Sequence, residues 1–173
     1  ATDLEEILAR NCHISDTARA ARFCRQAEQA RYFCKDIHYP DVPLHTPTFD
    51  TTLLSAHIRP GHVMLIDCWA SWCGPCRAAI PAVKALYDKY DRDRFDVISI
   101  SLDSKKEDWQ KALEEEKMPW PQFIAGNRGY EQLTLRYNIN SIPNLILIDD
   151  KGQVVCNTFS PEEISIELEE ILR

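Results

Sequence analysis

Trp72-Cys73-Gly74-Pro75-Cys76 places two cysteines with two residues between them, a spacing at which one thiol can reach the other. Such a pair can cycle between dithiol and disulfide. The chemistry depends on where the pair sits. An apolar run precedes it and a helical periodicity follows it, so the first sulfur falls at a helix start. There the free N–H groups and the helix dipole favour a thiolate. Cys73 is therefore the expected nucleophile. Cys76, one turn further in, is placed to attack a mixed disulfide on Cys73 and release the product. Gly74 allows a partner backbone to come close, and Pro75 occupies the first turn, where its missing N–H matters least. Trp72, Gly74 and Pro75 are thus candidate substrate contacts.

A plain structural disulfide or half of a metal site is the alternative reading of a CxxC. The other five cysteines, at 12, 24, 34, 68 and 156, supply no second CxxC and no neighbouring histidine pair. No zinc site is expected, and the redox pair itself needs no cofactor. The histidines at 13, 38, 45, 57 and 62 show no metal-ligand spacing and read as loop or solvated residues. Cys68 and Cys156 read as packed thiols. Cys24 and Cys34 lie ten residues apart, about 15 Å along a helix, too far to pair within it. A Cys12–Cys24 bridge is the closer match, with free thiols as the default.

Several elements must position this pair. Residues 3–37 show three-and-four spacing in two stretches and read as an αα-hairpin, with Ser15 or Asp16 capping the second helix. Residues 38–48 carry three prolines and read as a linker. The stretch 51–58 reads as extended, and Val63 to Ala70 as a buried central strand, on which neighbouring Asp67 and Cys68 point to opposite faces. A helix follows from Gly74 to Tyr90, with Pro81 as a kink site. Next come a strand from Phe95, a charged helix over 104–117, an extended piece over 118–125 and a short helix over 131–137. A β-hairpin turning at Asp149-Asp150-Lys151-Gly152 leads to a closing helix begun by Ser160-Pro161. This order predicts an α/β fold, a central mixed sheet flanked by helices, with the hairpin as an N-terminal extension. The expected division is 1–37, 38–48 and a main domain over 49–173.

The stretch Leu65-Ile66-Asp67-Cys68-Trp69-Ala70-Ser71-Trp72-Cys73-Gly74-Pro75-Cys76-Arg77 resembles the active-site segment of thioredoxins, and the wider pattern resembles their extracytoplasmic TlpA/ResA-like relatives. Supporting residues are Gly61, Ser101-Leu102-Asp103 with Trp109, Tyr137 to Pro143, and Leu147-Ile148-Asp149 with Gly152. The segment 118–126 is similar to the central insertion of that subgroup. The resemblance, over residues 45–173, implies a thioredoxin-like fold and a thiol-disulfide oxidoreductase. It implies a cis bond before Pro143, facing the CxxC, with the Ile142-Pro143 backbone pairing with an extended substrate segment. It further implies that Asp67 is a buried acid taking the proton of Cys76, with a pKa raised by burial. Two departures stand out. Asn144 replaces the family's usual threonine, and Ala79 stands where the ResA-like branch has a glutamate, which leaves Asp67 as the acid.

The 173 residues are 45% hydrophobic with a net charge of −7. That charge removes the broad positive field a nucleic acid or anionic membrane would favour. Arg19, Arg22 and Arg25 are balanced by nearby acids, and Glu114-Glu115-Glu116 reads as an exposed helix end. No apolar run is long enough to span a membrane and the first residues do not look like a signal peptide. The chain opens on alanine, so a targeting segment or membrane tether outside the given sequence is compatible with it. The expectation is a disulfide reductase acting on protein substrates, fed by an upstream electron donor, outside the cytoplasm. A binding or scaffold module acting through the helical extension, and a thiol peroxidase using Arg77, are the rival readings.

Overall fold

The computed structural model describes Tyr39 and residues 41–173. The expected helical hairpin at 3–37, and Cys12, Cys24 and Cys34 with it, lie outside these residues. At the centre are β3, Val63–Trp69, and β4, Phe95–Ser101, parallel neighbours paired along their whole length from Val63 opposite Phe95 to Trp69 opposite Ser101. Every β3 residue is buried. Continuous apolar runs of this kind suit strands covered on both faces.

The sheet extends to seven strands in the order β2-β1-β5-β4-β3-β6-β7. On one side β6, Asn144–Ile148, runs antiparallel to β3, and β7, Val154–Thr158, turns back on β6. On the other, β5, Gln122–Ile124, is parallel to β4, and β1, Pro43–His45, pairs antiparallel with both β5 and β2, Thr51–Leu53. Two expectations are corrected here. The proline-rich stretch 38–48 is not all linker, because Pro43–His45 forms β1, whose one proline stands at the first residue of the strand, where proline is tolerated. The extended reading of 51–58 holds only to Leu53, after which Leu54–His57 is a 3-10 turn.

Helix α1, Gly74–Lys89, follows β3; α2, Lys106–Glu116, links β4 to β5; α3, Gly126–Tyr137, precedes β6; and α4, Pro161–Ile171, closes the chain, with Ser160 accepting from the Glu163 N–H as its cap. Strand alternation sorts the core into two layers. Met64, Ile66 and Cys68 of β3 pack with Ile98 and Ile100 of β4 beneath Leu133 and Tyr137 of α3. Val63 and Leu65 pack with Phe95 and Val97 beneath Val83 and Leu86 of α1 and Ile164 and Leu168 of α4. By this parity Asp67, Trp69, Ser99 and Ser101 all lie on the α1 side.

Helix α3 is longer than expected, starting at Gly126 rather than 131. It lies close on β1: a Cβ at Gly129 would stand 2.6 Å from the Pro43 carbonyl oxygen. In an open helix alanine would gain about 1 kcal/mol over glycine. Here the clash is with backbone, and overpacking of that kind costs about 1–3 kcal/mol. Gly129→Ala is therefore expected to destabilise the domain, read as a lower urea midpoint with an unchanged slope. A raised midpoint would show that β1 yields.

Candidate active site

Cys73 is the N-cap residue of α1, in extended backbone geometry, and its Sγ accepts a hydrogen bond from the Cys76 N–H at 3.2 Å. The first turn of this helix contains no acidic residue and carries Pro75. Nothing there opposes the helix dipole, which favours negative charge on Cys73. Cys73 and Cys76 form a disulfide with Cα atoms 5.3 Å apart, so the structure is of the oxidised form. Both cysteines are buried, Cys73 at the very start of the helix and Cys76 one turn in. Around Cys73, Trp72 is 70% exposed, and Gly74 and Pro75 are exposed as well. A side chain at Gly74 would meet nothing within 4 Å, so that face of the site is open.

Beneath the disulfide, Trp69 and Trp109 are fully buried and pack with Ala70, Ala112 and both cysteines. Trp69 is a core residue, in contrast to Trp72. The Ile142–Pro143 bond is cis, and Ile142 packs against the same cluster. Ile142 and Ser141 also line a surface groove of about 390 Å³ with Trp72, Leu102, Tyr130, Ile139 and Asn140. The groove thus runs from the exposed tryptophan beside Cys73 to the loop before Pro143. Asn144, next in the chain, is buried and donates to Asn157 Oδ1 at 2.8 Å; its own Oδ1 has no hydrogen-bond partner.

Asp67 is buried in the middle of β3, on the face that carries α1. Burial pushes its carboxyl up to about 6, against a smaller lowering by a hydrogen bond from Ser99. Cys68, on the opposite face, is a free buried thiol whose ionisation is pushed far up by desolvation and then by the charge of Asp67. It is a packed thiol rather than a reactive one.

A thioredoxin-like family model matches residues 61–154, just over half of the chain and the stretch that holds Asp67, the disulfide and Pro143. The chain belongs to the thioredoxin-like family. Among curated relatives, the thiol-disulfide oxidoreductase ResA of Geobacillus kaustophilus is 26% identical over 133 residues, covering 72% of this chain and 75% of that protein. The sporulation thiol-disulfide oxidoreductase A of Bacillus subtilis is 24% identical over 104 residues, covering 58% of this chain and 61% of its own. Among solved structures, a thiol-disulfide oxidoreductase from Bacteroides fragilis superposes with a TM-score of 0.69 at 25% identity, over 78% of this chain and 98% of that one. Thiol-disulfide oxidoreductase of the ResA/TlpA kind is accordingly the class of this thioredoxin-like chain.

Ser99 and Trp120, and the contacts made by Asp103, emerge only in three dimensions. Asp103, buried after β4, accepts from the Ser71 N–H at 2.9 Å, the Ser71 hydroxyl at 2.6 Å and the Ser101 hydroxyl at 2.7 Å. It thereby ties down the turn that carries Trp72 and Cys73. Ser99 and Trp120 form a second link, to Asp67. The alternating burial of β4 was the available signal for Ser99; nothing local marks Ser71 as the partner of Asp103.

Arg77, the residue a peroxidase reading would need, is held by Glu115 at 2.8 Å and Glu116 at 2.5 Å. It joins α1 to the end of α2. Among the described residues no group of three or more His, Cys, Asp or Glu is placed to hold a metal ion, and no helix is long and apolar enough to cross a membrane.

Proposed function

We propose that this protein reduces disulfides of protein substrates through Cys73 and Cys76. The observation that carries the reading is the closed cysteine pair at the head of α1, beside an exposed tryptophan and an open groove. In the reduced enzyme, the Cys73 thiolate attacks one sulfur of a substrate disulfide, forms a mixed disulfide and expels the other substrate sulfur as a thiolate, which takes a proton. Asp67, as carboxylate, accepts the proton of Cys76. The Cys76 sulfur then attacks Cys73, closes the intramolecular disulfide seen in the structure and releases the second substrate thiol. Two electrons from an upstream dithiol donor reopen the pair. Trp72, Gly74, Pro75, Ile142 and Pro143 border the place where an extended substrate segment would dock. The ResA-like resemblance supports an extracytoplasmic setting, with any membrane tether outside the given sequence.

The Gly-Pro spacer matches reducing members of the family, so a redox titration of the Cys73–Cys76 pair is expected to give a potential near about −270 mV rather than the roughly −120 mV of strong oxidants. The reduced protein should then cleave insulin disulfides with a dithiol donor. A potential above about −180 mV would contradict the reductase direction.

A further inference from the structure

Asp67 Oδ2 accepts a hydrogen bond from the Ser99 hydroxyl at 2.8 Å, and Ser99 Oγ accepts one from Trp120 Nε1 at 2.8 Å. All three residues are buried. The direction of this chain is set by chemistry: an indole N–H can only donate. It occupies Ser99 Oγ as an acceptor and leaves the single hydroxyl proton to be given onward. The remaining acceptor near that hydroxyl is Met118 Sδ, 3.9 Å away, a weak one, so the proton goes to the carboxylate.

The geometry is backed by the framework. Ser99 stands directly opposite Asp67 in the parallel β3–β4 ladder, and the Ser99 N–H is held by the Pro121 carbonyl at 3.1 Å. Trp120 lies just before β5 and packs on Tyr87 of α1, with ring centroids 5.3 Å apart. The link thus reaches from Tyr87 of α1 to the acid on β3.

We propose that Ser99, oriented by the Trp120 indole, is a positioning residue that sets the proton affinity of Asp67 by stabilising its carboxylate. This rests on Asp67 being the acid of the proposed mechanism, but it concerns the carboxyl itself. Among the described residues no charged neighbour competes for the role. On α1, Arg77 and Lys84 are directed to the end of α2, at Glu115, Glu116 and the Glu116 carbonyl. Asp103, after β4, is engaged by Ser71 and Ser101. β6 presents apolar Leu145 opposite Asp67, the α1 cysteines are joined as a disulfide, and Cys68 faces the other layer. Burial and the Ser99 bond are what shift the carboxyl.

The test is a pH titration of the Asp67 carboxyl by carbon NMR in the oxidised full chain, with Ser99→Ala, Ser99→Thr and Trp120→Phe beside the wild type. Ser99→Ala should raise the midpoint by about one pH unit, because a hydrogen bond to the charged form is lost. Ser99→Thr, which keeps the hydroxyl, should titrate as the wild type. Trp120→Phe should give a smaller rise in the same direction, since a hydroxyl that no longer accepts is a poorer donor. An unshifted Ser99→Ala midpoint, or equal shifts in the alanine and threonine variants, overturns the proposal. A Trp120→Phe midpoint equal to the wild type's overturns the part given to Trp120. If the carboxyl shifts while the pH profile of insulin reduction does not follow, the positioning role stands, and it is the use of Asp67 in turnover that fails.

Discussion

Reduced Cys76→Ser protein mixed with a disulfide-bonded substrate such as insulin is expected to accumulate a one-to-one covalent complex through Cys73. The reason lies in the division of labour between two sulfurs one helical turn apart. Cys73 caps α1, where the N–H of Cys76 points at its sulfur and no acidic residue lies in the first turn. Attack by Cys73 remains available without Cys76, but the resolving attack does not, so the mixed disulfide persists. Gel electrophoresis without reductant should show the adduct, and dithiothreitol should release it. Cys73→Ser is expected to form no adduct and to lose all detectable insulin reduction, since the remaining thiol lies inside the helix rather than at its cap. An adduct formed by Cys73→Ser through Cys76 would reverse the assignment of nucleophile and resolving residue.

Asp67→Asn is expected to move activity and stability in opposite directions. Above pH 6 the wild-type carboxylate can accept the Cys76 proton; asparagine cannot, and loss of a positioned general base costs about 10²-fold or more in rate. Stability runs the other way. The folded carboxyl titrates near 6 against 3.8 for the free group, because burial disfavours its charge. Being raised in the folded state, it contributes stability that is fully present below pH 3.8 and lost as pH rises through 6. A shift of this size corresponds to about 3 kcal/mol of penalty at pH 8. Urea unfolding of the oxidised proteins should therefore show Asp67→Asn more stable than wild type by up to about 3 kcal/mol at pH 8, with the gap closing toward pH 4. An equal gap at all pH values would mean that burial does not raise the Asp67 carboxyl in the folded protein.

The redox pair was legible because its information is local. A CxxC between an apolar run and a helical repeat defines which sulfur caps the helix, and the structure places Cys73 as that cap. The alternation of β3 likewise foretold that Asp67 and Cys68 face opposite layers, as the two packing clusters show. Short outlying strands were less legible. Pro43–His45 and Thr51–Leu53 carry only three residues each, too few for a period to show. They become strands because β5 and each other offer backbone partners. Helix α3 begins at Gly126, ahead of the apolar repeat that announced it, since its glycine-rich first turn is shaped by contact with β1.

By itself, then, the sequence determined which cysteine caps its helix and the face on which each β3 residue lies, because a period of two and a helix start are properties of neighbouring residues. Only the tertiary structure decided what surrounds that chemistry. The β3–β4 register sets Ser99 against Asp67, the path into β5 brings Trp120 onto Ser99, and the end of β4 brings Asp103 to Ser71. These partners lie 32, 21 and 32 residues apart in the chain. Which polar groups meet across such distances depends on strand register and helix packing, which act on whole elements and leave no mark on the spacing of the residues concerned.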